Sequence, residues 1–360
     1  MKHIQVTTSG KADRTNKKGH AGKSLLFTAL LISCTSANAT EAVDSSFYGS
    51  LRLGADYVDS GTSDDAANGR DYLSRVGVNA EVKLADGLTG LGKVEYGLRG
   101  DDGVNFNQNE KAGMRQIYVG LKGDFGTVTY GSQTIIWHQY VRSAYFSDAL
   151  DSLRQGAIRD DDMLQWQKSF NHWKFGAAIQ TEQQDGDSID QYQLAGQYHN
   201  EGLKLQVALA ADQQGENTGN LYGLRAWYDI SKAFTVSAFY HLAEKDFDIY
   251  KGNSSGNVRL VSAKDSGKVG GVTACADEER STAGLYGKWR QDNNQIHARY
   301  AVNTCEVKGD VSSMKVEYIR YFSKKFRLWA SFEQLDNDTT RLPSTGENMS
   351  EMQLGVRFDF

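Results

Sequence analysis

The sequence predicts an all-β protein, a transmembrane antiparallel β-barrel of 16 strands. Three observations support this prediction. From Phe47 to Phe360, segments of about ten residues alternate apolar and polar side chains, as a strand with two different faces does. Short turns and longer loops alternate between these segments. The 360 residues also include 37 glycines, 18 tyrosines and 15 phenylalanines but one proline, a composition that favours many strands.

The average hydropathy excludes a helical membrane protein. Its value is −0.54, whereas a membrane-spanning helix needs about 20 consecutive apolar residues. A prior of about 150 residues per domain would suggest two domains, but all-β barrels often run longer as one domain. We therefore expect a single barrel.

The first 39 residues predict a secretory signal peptide. Six basic residues and one acidic residue precede an apolar run at 25–33, and Ala37-Asn38-Ala39 forms a cleavage site of small residues. The apolar run is too short to span a membrane permanently. We therefore expect a signal peptide at 1–39 and the β-barrel at 40–360. Alternatively, the segment ending at Cys34 resembles a lipobox, in which this cysteine would be lipidated.

The mature chain is predicted to be acidic. Removal of residues 1–39 leaves 34 Lys and Arg against 44 Asp and Glu, a net charge near −10. An acidic surface argues against a nucleic-acid partner. It also fits a pore with a weak preference for cations.

The alternation predicts the strands one by one. Val76, Val78, Ala80 and Val82 form one face of a segment whose other face is polar, and the last strand alternates in the same way up to Phe360. The predicted strands start near residues 46, 71, 88, 113, 126, 159, 172, 190, 203, 220, 234, 280, 294, 311, 325 and 348. An even count with alternating short and long connections is typical of an outer-membrane barrel.

The number of strands decides which face points inward. A soluble sandwich would bury its apolar face. A closed sheet of 16 strands encloses more space than side chains can fill, so its interior holds water and its apolar face contacts lipid. Closure also removes the strand edges that lipid could not satisfy. Aromatic residues such as Phe170 and Trp173 cluster beside the short turns, where a girdle would lie.

Four stretches carry a family resemblance: FYGSLRLGADY at 47–57, the segments 74–98 and 114–133, and the last strand with its terminal Phe360. They resemble the general porins of Gram-negative bacteria. The resemblance implies an outer-membrane homotrimer whose third long loop folds into the lumen of each barrel. It implies contacts with outer-membrane lipid and lipopolysaccharide, and recognition of Phe360 by the barrel-assembly machinery. The implied function is passive diffusion of ions and small hydrophilic solutes.

The resemblance also implies a charged pore constriction. In the family, basic residues on the wall face acidic residues of the third loop, here 133–158. Alternatively, a wall arginine only pairs with a neighbouring carboxylate such as Glu81 or Glu95. The candidates on the wall are Arg52, Arg75, Lys93, Arg99, Arg115 and Arg159, and those on the loop are Asp148 and Asp151.

The third loop departs from the best-known porins. Their Pro-Glu-Phe-Gly-Gly-Asp segment is absent, and the aromatic residues Trp137, Tyr140 and Tyr145 occur instead. These side chains would either stack on a sugar or pack the loop against the wall. Stacking would make the protein a substrate-selective porin, for oligosaccharides or particular ions.

The two cysteines of the mature chain, Cys275 and Cys305, predict a disulfide, because the periplasm and cell surface are oxidising. The alternative is two free thiols. No metal site and no cofactor are expected. We expect no enzyme either, since no Ser, His and acid occupy matching positions on adjacent strands. An adhesin or receptor role through the loop 245–279 is a further alternative.

Overall fold

The computed structural model describes most of the segment that follows the predicted signal peptide. Among the described residues, no helix is both long and apolar enough to cross a membrane. The predicted signal peptide at 1–39 lies outside the described residues, as does most of the loop 245–279. The described residues are 42–59, 66–98, 113–143, 145–149, 153, 155–181, 189–212, 218–245, 247, 278–307, 309–337 and 348–360.

Seventeen β-strands are found among the described residues, all in one antiparallel sheet. The strands are β1 (Asp44–Asp59), β2 (Ala66–Asp71), β3 (Arg75–Ala85), β4 (Leu88–Gly97), β5 (Gly113–Gly123), β6 (Gly126–Thr134), β7 (Arg159–Phe170), β8 (Trp173–Gln180), β9 (Gln191–Asn200), β10 (Leu203–Asp212), β11 (Asn220–Asp229), β12 (Phe234–Ala243), β13 (Arg280–Gln291), β14 (Asn294–Cys305), β15 (Gly309–Tyr321), β16 (Phe326–Asn337) and β17 (Asn348–Asp359).

The sheet closes into a barrel of 16 strands, as predicted. β2 and β3 both pair with β1 and form one strand that is interrupted at 72–74. On its other side β1 pairs with β17, with Ser50 opposite Asp359, so the ring has no free edge. Closure matters because unpaired backbone groups at an edge could not be satisfied in lipid.

The strand boundaries follow the alternation closely. β4, β5, β6 and β7 begin at the predicted residues. The connection between β14 and β15 differs, because it covers only 306–308, whereas the alternation of short and long connections predicts a long one here. Apolar and polar residues continue to alternate in both strands up to this connection, so the two strands take up residues that a long loop would contain.

The two faces of the barrel have opposite chemistry. On β14, Tyr300 is 52% exposed, whereas Arg299 and His297 are each 2% exposed. The same inversion recurs around the ring, where large apolar side chains such as Val119 and Leu285 are exposed and polar side chains are buried. Because side chains alternate across a strand, the polar set lines the inside and the apolar set covers the outside. This agrees with the orientation expected from strand number.

The C-terminal residue completes the closure. The backbone of Phe360 forms two hydrogen bonds with Gly49, at 3.0 and 3.1 Å. Its ring lies where a Cβ on Gly49 would be and contacts Phe47, with 5.8 Å between the ring centroids. Gly49 is therefore required for this close approach.

Candidate functional site

The connection between β6 and β7, residues 135–158, is the third long connection of the chain. It contains a short π-helix, His138–Arg142, which packs near β9, β10 and β11. Residues that follow the π-helix contact polar side chains of β15, β16 and β17. Described residues of the connection therefore lie against the polar faces of strands from β9 to β17.

Trp137 anchors the start of the connection. Its side chain is fully buried, and Nε1 donates a hydrogen bond of 2.9 Å to the carbonyl oxygen of Gln155. Its backbone N–H donates to Oε1 of Gln193 on β9, at 3.0 Å. On β11, Gly223 leaves room for the indole, since an added Cβ would lie 2.6 Å from the ring. Trp137 therefore packs against the wall and also binds a later part of its own connection.

Tyr140 and Tyr145 are buried in the same way. Burial raises the pKa of the Tyr140 hydroxyl. Tyr145 stacks on Tyr286 of β13, with ring centroids 4.4 Å apart, and its hydroxyl lies 3.0 Å from Oγ of Ser237. The guanidinium of Arg225 lies over its ring. These contacts favour the packing alternative for Trp137, Tyr140 and Tyr145 over solute stacking.

A glutamate on β15 binds the backbone of the connection. The carboxylate of Glu317 accepts hydrogen bonds from the N–H groups of Ser147, Asp148 and Ala149, at 3.0, 3.0 and 2.6 Å. Glu317 itself is fully buried. Three successive donors that converge on one carboxylate form a backbone nest, a strong arrangement for holding a negative charge.

Asp148 is the one predicted loop acid that the structure describes, and it is ion-paired. Its carboxylate accepts two hydrogen bonds from Arg327, at 2.6 and 3.1 Å, and one from Arg357, at 3.0 Å. Asp359 pairs with both arginines, at 3.3 and 2.7 Å. Two arginines and two aspartates therefore form one group with balanced charges. Asp151 lies outside the described residues.

Arg75 and Arg115 lie around Glu95 of β4, and the charge of Arg357 also acts on Arg75. Arg115 donates to Glu95 at 2.8 Å, and Arg75 lies 4.0 Å from the same carboxylate. The hydroxyl of Tyr48 also donates to Glu95, at 2.9 Å. One carboxylate therefore serves two arginines.

Arg52, Lys93 and Arg159 complete this basic group. The charges of Arg75 and Arg115 act on both Lys93 and Arg159, and that of Arg75 acts on Arg52. Lys93 lies over the ring of Tyr48, at 5.4 Å. Within the part of the chain that the structure describes, no carboxylate forms an ion pair with any of these three side chains. Arg99 lies outside the described residues.

An irregularity in strand pairing sets the direction of Arg115, and two other wall arginines lie beside irregularities. Arg75 follows the interruption at 72–74, where Leu73 has a positive φ of 71°. Arg115 is the extra residue where the register between β4 and β5 shifts, and Arg159 begins β7 beside the shift between β6 and β7. An irregularity of one residue moves side chains to the other face of a strand. Arg115 and Gln116, which are neighbours in sequence, can therefore both bind Glu95.

Sequence reasoning missed Arg327, Arg357 and Glu317. Alternation in β16, which contains Trp329, places Arg327 on the polar face, and alternation in β17 does the same for Arg357. Both arginines could therefore have been included among the wall residues. No sequence pattern indicates that Glu317 binds the backbone of 147–149.

Only one cysteine of the predicted disulfide is among the described residues. Cys305 is the last residue of β14 rather than a loop residue, and it is disulfide-bonded. Cys275 lies outside the described residues, so the Cys275–Cys305 pairing stays a prediction. Among the described residues, no group of three or more His, Cys, Asp or Glu could hold a metal ion.

Comparison with known proteins identifies the family. The family model described as Gram-negative porin matches residues 27–357. The chain is 25% identical over 219 residues to outer membrane porin C of Serratia marcescens, which is 60% of this chain and 55% of that protein. It is 35% identical over 114 residues to outer membrane porin C of Enterobacter cloacae, covering 30% of this chain and 29% of the relative. The first of these matches spans about half the length of the relative.

Solved structures show the same fold. An anion-selective porin from Comamonas acidovorans superposes with a TM-score of 0.68 at 16% identity, over 89% of this chain and all of that chain. OmpF of Salmonella typhi, solved with daunomycin, gives a TM-score of 0.66 at 16% identity over 88% of this chain and 97% of that one. Together with the closed barrel of 16 strands, these matches show that the chain belongs to the Gram-negative porin family and is an outer-membrane β-barrel protein.

Proposed function

We propose that this protein is a channel, and not an enzyme, through which ions and small hydrophilic solutes diffuse across the outer membrane. One observation carries the proposal: a closed ring of strands turns its charged side chains inward and its large apolar side chains outward. Such a ring of 16 strands encloses a water-filled interior. Passive transport needs no more than this lumen and a constriction that selects by width and charge.

The constriction is formed by the third long connection and the basic wall opposite it. Tyr145 and Phe146 pack against β12 and β13, and the backbone of 147–149 is bound by Glu317. The connection is thus held in place inside the lumen and reduces its cross-section. The basic wall of Arg52, Arg75, Lys93, Arg115 and Arg159 borders the remaining opening. Selectivity therefore depends on these five side chains and on Glu95.

The protein assembles as a homotrimer in contact with outer-membrane lipid and lipopolysaccharide. One solved structure of this fold, OmpT of Vibrio cholerae, is a trimer form, and it matches with a TM-score of 0.63 at 16% identity. Phe360 serves as the signal for the barrel-assembly machinery. The covalent pairing of Cys275 with Cys305 ties the end of β14 to the loop before β13.

Conductance in a planar lipid bilayer tests the channel. The mature chain is refolded in detergent and added to the bilayer in about 1 M salt, an ionic strength that screens surface charge. We expect stepwise, ohmic increases in current. Steps in groups of three would support the trimer. A barrel that folds correctly, as judged by its circular dichroism, and gives no current would refute the proposal.

A further inference from the structure

The basic wall carries more positive charge than the residues around it neutralise. Five cationic groups lie here, on Arg52, Arg75, Lys93, Arg115 and Arg159. Among the described residues, Glu95 is the one carboxylate that forms an ion pair with any of them. Glu95 binds Arg115 at 2.8 Å and lies 4.0 Å from Arg75. Four positive charges are therefore left over in this part of the wall.

The acid of the third connection, Asp148, forms no ion pair with the basic wall, although its charge and that of Asp359 act on Arg52. Asp148 points to Arg327 and Arg357, with contacts of 2.6 to 3.1 Å. Its side chain is fully buried. Asp359 completes the balance of that group. The other carboxylate at the connection, Glu317, is occupied by three backbone N–H groups and is buried as well. Neither carboxylate is exposed to solutes in the opening.

The acidic net charge of the mature chain does not offset this local excess. At physiological ionic strength, charges are screened beyond about 8 Å, so acids in distant surface loops have little influence inside the lumen. A narrow opening with walls of low dielectric constant focuses the field of the charges that line it. The charges nearest to the opening therefore determine the sign of the preferred ion.

We infer that the constriction prefers anions, and that its natural solutes include small organic anions such as carboxylates and phosphates. This inference rests on the proposed channel function and names its class of solute. It reverses the weak cation preference that the net charge of the sequence suggested. Arg52 and Arg159 form no ion pair among the described residues and contribute to the attraction. Asp148 and Asp359 limit it at Arg52, and Glu95 limits it at Arg159.

The reversal potential under a tenfold gradient of potassium chloride tests the inference. A local potential of about one kT per unit charge enriches chloride and depletes potassium by a factor of about 2.7 each, so it favours chloride over potassium by a factor of about seven. We expect this ratio for the unmodified protein. Arg159→Gln and Arg52→Gln should each lower it toward one, and Glu95→Gln should raise it. Lys325→Gln, which removes a charge from an exposed short turn, is the matched control and should leave the ratio unchanged.

A trivalent carboxylate gives a second readout on the same bilayer. Citrate should reduce the chloride current of the unmodified protein and of the Lys325→Gln control, and it should do so less in the Arg52→Gln, Arg159→Gln double variant. A current that prefers potassium, or one unaffected by citrate, would overturn the inference while leaving the channel intact. Absence of any current would instead refute the channel itself. Variants that fail to fold do not affect the test, since the unmodified protein alone decides the sign.

Discussion

Replacing Asp148 with asparagine removes the charge that holds two wall arginines together. The variant keeps the size and shape of the side chain but leaves Arg327 and Arg357 with Asp359 as their shared partner. The backbone of 147–149 remains bound to Glu317, so the connection keeps its second attachment. The change therefore tests the ion pairs and not the presence of the connection.

The expected loss of stability follows from the burial of these groups. Two charges about 4 Å apart attract by about 4 kcal/mol at an effective dielectric constant of about 20. Removing one partner of a buried pair typically costs about 3–5 kcal/mol, because a charge is left without compensation. Asp359 offsets part of this cost here. We therefore expect Asp148→Asn to lower the free energy of unfolding by about 3 kcal/mol, the lower end of that range.

Urea unfolding of the barrel in detergent micelles, followed by tryptophan fluorescence, measures this difference. Asp86→Asn is the control, since Asp86 is an exposed turn residue whose partner is Lys83, and no change is expected there. The double variant Asp148→Asn, Arg327→Gln should lose less than the sum of the two single variants, because it leaves fewer unpaired charges. Additive losses, or an Asp148→Asn variant within about 0.5 kcal/mol of the unmodified protein, would refute the reasoning.

Two further predictions concern the packing of the third connection. Trp137→Ala should lower the free energy of unfolding by about 3–5 kcal/mol, because it leaves a cavity at a buried site. The block of the current by sugars should stay the same. Loss of the sugar block at unchanged stability would support the stacking alternative instead. Gly223→Val should displace Trp137, since a Cβ at Gly223 would lie 2.6 Å from the indole, and should be detected as a changed near-ultraviolet circular dichroism. Gly287→Ala is its control, because the nearest ring atoms are at 3.8 Å, and equal spectra for both variants would contradict the predicted contact.

The local pattern of the chain predicts the barrel well, because each strand carries its own two-faced alternation. β4 to β7 begin where the alternation begins, and the two faces of β14 follow the sequence residue by residue. The wall positions of Arg52 and Lys93 follow from the same rule. Arg115 does not, because its direction depends on a shift in register between β4 and β5.

The contacts between the third connection and strands β15 and β16 could not be predicted from the sequence. Asp148 and Arg327 are 179 residues apart, and Glu317 lies 168 residues from Ala149. No local pattern links such positions, since the pairing depends on which distant strands a connection of more than 20 residues packs against. Asp148 binds Arg327 and Arg357, two arginines that were not among the expected wall residues, and its role in a pore constriction stays a prediction.

The sequence by itself determined the class of protein, the number of strands and, away from irregularities in strand pairing, the face that a side chain takes, because strand periodicity and turn chemistry are local properties. The tertiary structure alone decided which charges neutralise one another. Closure of the ring brings β16 and β17 to Asp148 and leaves Arg52, Lys93 and Arg159 without a carboxylate partner among the described residues. Which charges of the polar face stay unpaired therefore depends on distances between side chains and not on composition.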